Sequence, residues 1–389
     1  MKDISKKEND IITLSDSEII HDESSLTKLT YIILIYIFYI FGGIINEKLT
    51  KSTYEYKGVN DTLETFKFKD PLIILCSLSS FSLIISLYMS RKMKYKLFKN
   101  SKISPISFYD QSIIGVLHTA STFTSQFSLL YVDFIVKTIG KSCKSASFLF
   151  LYFLNSIPFC NKIFKKLLNN KINEKNNKNS TGKIQMKDLL KVIITTMSVV
   201  LFNLSSNKTK KNDDSSSNST IGIIILLISL FFDGLLSLKE KMVQVNINDN
   251  SEYKGYEKII CWEYMKIFGL CTFVFAFSQI LFKTIFGNYL QIIKIAFSCK
   301  GLLRDLFCYA VFDALGQSVL FIFLSKYGPL TVSMVTSVRK ILSISLSILY
   351  FGKSISFPQS ISLFLAGTII FWEIYDKGNK NKKIEEKKI

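Results

Sequence analysis

Histidine and proline are scarce in this 389-residue chain, which has two histidines and five prolines. His21 lies in a polar N-terminal segment and His118 in an apolar run, so no histidine-based metal site or catalytic triad is predicted. The seven cysteines form no CxxC pair, which favours small apolar fillers over zinc ligands or a disulfide framework. No phosphate-loop or dinucleotide-binding motif is present. We therefore expect no enzyme, no metal and no cofactor.

Long apolar runs dominate the chain, of which 48% is hydrophobic and 14% aromatic. A membrane span needs about 20 mostly apolar residues. The first 29 residues are polar, so we expect no cleavable signal peptide and insertion directed by the first run. Ten runs qualify, which predicts an all-α membrane protein with spans at roughly 30–46, 71–90, 108–131, 133–155, 188–206, 220–238, 259–282, 305–326, 329–351 and 357–375.

The net charge of +19 is concentrated in alternate links between these runs. The link at 90–102 carries six basic residues and no acid, and the link at 161–187 carries eight lysines and one glutamate. The tail at 376–389 carries six lysines, whereas the link at 47–70 balances five bases with five acids. This alternation follows the positive-inside rule and predicts that both termini are cytosolic. The basic balance thus indicates a lipid bilayer as partner and no nucleic acid.

Two of the predicted spans, 133–155 and 329–351, together carry five basic residues. A lysine at the bilayer centre costs roughly 2.5–3.5 kcal/mol. Lys137, Lys141 and Lys144 follow the spacing i, i+4 and i+7, which places them on one helix face. Arg339 and Lys340 form a second group, and as neighbours they point about 100° apart. Positive charge at this depth must face a partner or water.

The acidic residues considered as their partners are Glu47, at the end of the first span, Asp233 and Asp313. Internal ion pairs are the structural explanation of the buried bases, but three acids cannot neutralise five bases. The surplus predicts a hydrated cavity that takes up a mobile anion. Phosphate is the natural candidate, because arginine binds it with a planar fork and lysine as a point charge.

A weak duplication relates the two halves. When Lys144 is set over Lys340, Tyr131 falls over Tyr327, and each lysine lies in the fourth of five spans. An odd number of spans per repeat forces the second copy to insert upside down, as in alternating-access carriers. We expect a polar N-terminal segment, two five-helix repeats joined by a low-complexity loop, and a basic tail, at 1–29, 30–206, 207–219, 220–375 and 376–389.

Several stretches resemble a known family. They are "IGKSCKS" at 139–145, "SLFFDGLLS" at 229–237, "ALGQS" at 314–318, and "GPLT" at 328–331 followed by Thr-x-x-Arg-Lys at 336–340. From about residue 30 to 376 the chain is similar to nucleotide-sugar transporters of the drug/metabolite transporter superfamily, in the branch of UDP-galactose transporter homologues of the endoplasmic reticulum.

The resemblance implies a ten-helix antiporter of two inverted repeats. It would exchange a nucleotide sugar, of the UDP-galactose or UDP-glucose class, for a nucleoside monophosphate across the endoplasmic reticulum membrane or, alternatively, the Golgi membrane. An ATP/ADP exchanger is an alternative within the branch. A membrane scaffold that transports nothing is an alternative of another class, but it would not need charges at mid-depth.

The resemblance also implies roles for residues that match its motifs. The phosphate ligands would be Lys141, Lys144, Arg339 and Lys340. Glu47 and Lys48 would form a gate charge, and Tyr39 and Gln317 would contact base or ribose. Asp233 would be structural.

Two charges depart from the family pattern, since Lys137 stands in place of a glutamine and Asp313 in place of a small polar residue. From the predicted non-cytosolic ends of their helices, they lie about 6 Å and 12 Å deep at 1.5 Å per residue. We expect these opposite charges to form a structural pair.

Overall fold

The computed structural model describes residues 25–57, 63–68, 70–97, 106–141, 216–248, 257–287, 289–352 and 356–385, with helical pieces at 190, 193–194, 197–198 and 201–202. The elements are α1 (Ser25–Lys51), β1 (Thr53–Lys57), β2 (Leu63–Lys67), α2 (Pro71–Leu97), α3 (Phe108–Ser128), α4 (Phe134–Gly140), α5 (Ser216–Asn248), α6 (Glu257–Phe286), α7 (Tyr289–Ser298), α8 (Lys300–Tyr350) and α9 (Phe357–Glu385). Lys144, the loop at 207–219 and most of the predicted spans 133–155 and 188–206 lie outside the described residues.

Five of the described helices are long and apolar enough to cross a membrane. They carry large apolar side chains on their outer surface, such as Ile84 at 64% and Val274 at 57% exposure, as a surface facing lipid requires. Each falls on one of the predicted spans. The five segments are Thr27–Lys51, Pro71–Lys92, Thr220–Glu240, Ile260–Phe286 and Lys300–Tyr327.

The long helix α8 must fold back on itself. A straight helix of its 51 residues would be roughly 76 Å long, far beyond a hydrocarbon core of about 30 Å. Tyr39 of α1 lies near both Gly316, where an added Cβ would be 3.1 Å from its ring, and Arg339, whose guanidinium is 3.9 Å from its ring centroid. Those two positions would be roughly 34 Å apart on a straight helix. The chain therefore reverses direction between Gly316 and Arg339, so that two arms of α8 flank α1.

A two-stranded antiparallel hairpin follows α1, which the all-α prediction missed. Thr53 of β1 pairs with Lys67 of β2 at its open end. Tyr54 is buried against the start of α8, and its hydroxyl donates to a carboxylate oxygen of Asp305 at 3.1 Å. Burial and this carboxylate raise the pKa of Tyr54, so the phenol stays protonated and remains a donor. Lys48 binds the same carboxylate at 2.7 Å, which fixes the hairpin to α1 and α8.

Helix pairs in the core approach closely through small residues. An added Cβ at Gly269 of α6 would lie 3.1 Å from the backbone of Leu83 in α2. The same test at Gly115 of α3 places the Cβ 2.2 Å from Sγ of Cys271 in α6, closer than any real contact. Small residues at such crossings let helix backbones approach in membranes.

The contact at Gly115 gives a stability prediction. Gly115→Ala should lower the melting temperature of the detergent-purified protein, because overpacking costs typically 1–3 kcal/mol. Gly367→Ala is the matched control, since an added Cβ there meets nothing within 4 Å. Equal melting temperatures for the two variants would contradict the close approach of α3 and α6.

Candidate functional site

A cavity of about 470 Å³ lies between α1, α4, α5 and the two arms of α8. On α1 its wall is formed by Tyr39, Gly42, Gly43 and Asn46, which the spacing of an α-helix places on one face. The part of this wall between Tyr39 and Asn46 is formed by the two glycines and carries no side chains there. The charged lining residues are Lys137, Lys141, Asp233, Asp313, Arg339 and Lys340.

Lys141 follows the last residue of α4 and meets an acid from α5. Its Nζ lies 3.0 Å from Oδ2 of Asp233, and Ser121 of α3 donates a hydrogen bond to Oδ1 of the same carboxylate. Both charged side chains stay partly exposed, at 24% and 35%, so an entering anion can reach the lysine. Asp233 thus belongs to the cavity, in addition to any structural role.

Arg339 and Lys340 reach the cavity from the second arm of α8 and point to different walls, as adjacent helix residues do. The guanidinium of Arg339 lies 3.9 Å from the ring centroid of Tyr39, an arrangement that stabilises a cation over an aromatic face. The ammonium of Lys340 donates to the backbone carbonyl of Lys141 at 2.7 Å. This bond joins α8 to the end of α4. Three of the predicted phosphate ligands, Lys141, Arg339 and Lys340, line one cavity.

The described lining carries four basic and two acidic side chains, an excess of two positive charges. Taking such charges out of water is expensive unless a partner of opposite sign balances them. The excess agrees in sign with the surplus predicted from the sequence. A cavity of this kind favours a ligand with about two negative charges.

Lys137 and Asp313 both line the cavity, but in the described structure they do not form the predicted ion pair. The Nζ of Lys137 donates to Oε1 of Gln126 at 3.3 Å, and Asp313 accepts from Nε2 of Gln317 at 2.8 Å. Gln126 in turn donates to the hydroxyl of Tyr309 at 3.3 Å. A neutral amide contacts each charge, Gln126 of α3 for Lys137 and Gln317, one turn further along α8, for Asp313. Gln317 is not among the lining residues, and its contact with substrate stays a prediction.

Glu47 and Lys48 lie at the hairpin end of the cavity, in two separate networks. Glu47 is fully buried, pairs with Lys51 at 2.9 Å and accepts a hydrogen bond from Ser347 of α8. Lys48 is bound to Asp305, as described above. Both residues thus connect α1 to α8, though through different arms.

The sequence analysis missed one signal that points to Asp233. "FGGII" at 41–45 in α1 aligns with "FDGLL" at 232–236 in α5, which sets Gly42 over Asp233. Gly42 and Asp233 both line the cavity. Within the described part of the chain, no group of three histidine, cysteine or acidic side chains is placed to hold a metal ion.

Known proteins with similar sequences cover most of the chain. The UDP-galactose transporter homolog 1 of Kluyveromyces lactis is 26% identical over 367 residues, which cover 91% of this chain and 95% of that protein. The protein of the same name from Saccharomyces cerevisiae is 26% identical over 333 residues, 81% of this chain and 86% of its own. The solute carrier family 35 member B1 of Rattus norvegicus is 22% identical over 332 residues, covering 85% and 88%.

The model of the UAA transporter family matches residues 181–376, half of the chain. The matched part contains Asp233 and Asp313 as well as the basic pair at 339–340, and so includes much of the charged lining of the cavity. The relatives named above are transporters by name and not enzymes. This chain therefore belongs to the UAA transporter family, a family of nucleotide-sugar transporters.

Proposed function

We propose that this chain is an antiporter that exchanges a nucleotide sugar of the UDP-galactose or UDP-glucose class for a nucleoside monophosphate by alternating access. The observation that carries the proposal is the excess of positive charge in a cavity lined by helices of both halves. A scaffold that transports nothing would gain no benefit from such a cavity. The names of the relatives, UDP-galactose transporter homolog 1 among them, support the substrate class.

Inverted repeats are supported by a register that sets Phe41 of α1 over Phe232 of α5. Applied to α3, the same register sets Ser121 over Phe312 of α8.

One contact at the level of the cavity follows this register. Ser229 of α5 donates to the backbone carbonyl of Ser121 of α3 at 2.9 Å. The equivalent residues are Phe38 of α1 and Phe312 of α8, whose ring centroids lie 6.2 Å apart. A contact between α1 and α8 at the position that corresponds to the contact between α5 and α3 supports the proposal of two related halves.

The lining of the cavity obeys the same register. Tyr39, Gly42 and Asn46 of α1 correspond to Leu230, Asp233 and Ser237 of α5, and all six line the cavity. A site between two related, oppositely oriented helices lies where alternating-access carriers bind their substrates. This supports the proposed mechanism.

The charge of each candidate substrate can be compared with that of the described lining. A nucleoside monophosphate carries about −1.5 to −2 at neutral pH, and a UDP-sugar carries about one charge on each of two phosphates. Either one offsets the excess of two positive charges on the described lining. ATP and ADP carry more negative charge, and Lys144, a predicted phosphate ligand, lies outside the described residues and is not in this count, so ATP/ADP exchange stays the alternative.

A charge test of the cavity follows. Arg339→Ala should weaken UMP binding about 10- to 100-fold, because a hydrogen bond to a charged group contributes about 1.5–3 kcal/mol. Arg339→Lys should keep part of the activity, since the charge remains while the planar fork is lost. The measurement is exchange of labelled UMP in proteoliposomes.

Arg91→Ala is the matched control, because this arginine is exposed on α2 and does not line the cavity. It should exchange like the unmodified protein. Normal exchange by Arg339→Ala, or competition by uridine as strong as that by UMP, would refute the phosphate-binding role.

Two ion pairs at opposite ends of the molecule are candidates for the gates of the carrier. Lys48 of α1 pairs with Asp305 at 2.7 Å, and Lys239 of α5, the equivalent of Lys48 in the register above, pairs with Asp110 at 2.7 Å. Each lysine lies two residues beyond the last lining residue of its helix, Asn46 or Ser237. In the proposed cycle one pair breaks while the other holds.

The gate hypothesis predicts opposite effects from equivalent changes. Ser343→Cys places a thiol in the cavity lining, where a membrane-impermeant reagent reports which side is open. Lys48→Gln should raise its labelling from one side of sealed vesicles, and Lys239→Gln should raise it from the other. Labelling is compared with that of the same variants without the added cysteine. Shifts toward the same side would show that the pairs are structural only.

We further propose that the protein has ten spans and that both termini are cytosolic. The membrane is that of the endoplasmic reticulum or, alternatively, of the Golgi. Epitope tags at residue 1, near 175 and at 389 should be accessible to protease in sealed microsomes, whereas a tag near residue 60 should be protected. Protection of the tag near 175 would overturn both the loop assignment and the division into five plus five.

A further inference from the structure

The residues predicted to contact the nucleobase are occupied elsewhere. The ring of Tyr39 lies beneath the guanidinium of Arg339. The amide of Gln317, which is not a lining residue, donates to Asp313. Recognition of the base within the cavity therefore needs another polar side chain. Asn46 has the required chemistry.

Asn46 is a buried amide with an unused hydrogen-bonding atom. Only 4% of the residue is exposed, and its Oδ1 has no hydrogen-bond partner among the described atoms. Its backbone carbonyl is satisfied, since it accepts from the hydroxyl of Thr50 at 3.2 Å. Buried polar groups in native proteins are nearly always paired, and an exception calls for a functional explanation.

The position of Asn46 suits the far end of a bound nucleotide. It lies seven residues after Tyr39 on the same face of α1, roughly 10 Å further along the cavity from the level of Arg339. The ring of Phe134 lies at this end, where its Cζ would be 3.4 Å from a Cβ added at Gly43. Phe134 also lines the cavity, so an aromatic ring on which a base can stack is available near Asn46.

We propose that Asn46 recognises the edge of the nucleobase while the basic residues at the opposite end hold the phosphates, an inference that rests on the proposed function. The amide offers one acceptor and two donors. For uracil, its oxygen accepts from N3–H and its nitrogen donates to O4. The ligand class is a nucleotide whose base has a donor beside an acceptor, with Phe134 stacking on its face.

Competition by UMP and by ribose 5-phosphate, which has no base, tests the inference. Asn46→Ala should weaken competition by UMP about tenfold and leave competition by ribose 5-phosphate unchanged. Arg339→Ala should weaken both. Equal weakening of both compounds by Asn46→Ala, or no change in either, would overturn the role of Asn46.

Asn46→Asp is a second variant of nearly the same shape, which guards against loss of folding in Asn46→Ala. A carboxylate only accepts hydrogen bonds, and guanine presents two neighbouring donors, N1–H and N2–H. Competition by GMP relative to UMP should therefore rise in this variant, and an unchanged ratio would count against base recognition.

If the unmodified protein binds no nucleotide, the proposed function fails together with this inference. If it binds nucleotides and both variants leave the base preference intact, this inference alone fails.

Discussion

Positive charge in excess inside a membrane is the constraint on which the rest of the structure depends. Charges removed from water require partners, and the described cavity supplies only two acids for four bases. Arg339 lies over the ring of Tyr39, and Lys141 shares a carboxylate with Ser121. These contacts hold the bases in place without cancelling their total charge. In the proposed exchange, the phosphates of the substrate complete the balance, and an empty cavity resists reorientation.

In the proposed mechanism, duplication lets one cavity serve two sides of a membrane. Residues of both α1 and α5 line the cavity, and these helices contact α8 and α3 respectively. In the proposed inverted arrangement, equivalent residues at the ends of the two halves lie on opposite sides of the membrane. Lys48 and Lys239 are such residues, and each is paired with an acid. The energetic difference between the two states of the carrier can then be small, since each state repeats the contacts of the other.

Much of this arrangement could be predicted from the sequence, and the remainder shows what periodicity omits. Apolar runs located the described spans, and the surplus of bases predicted that Lys141 and Arg339 would share a cavity. The depth of a residue along its helix does not tell which way its side chain points around the helix axis. The hydrogen bond from Lys137 to the neutral amide of Gln126, in place of an ion pair with Asp313, was therefore missed. The hairpin of β1 and β2 was missed because its short strands depend on the packing of Tyr54 against α8. The roles of the basic residues in substrate binding stay predictions.

Exchange of labelled UMP into proteoliposomes tests the central claim most directly. Vesicles are loaded with UMP, with uridine, or with buffer alone, and the initial rate of uptake is compared. If phosphate charge is what balances the cavity, uptake should require UMP inside and should remain at the background level with uridine or buffer. Equal uptake into all three sets of vesicles would contradict the account.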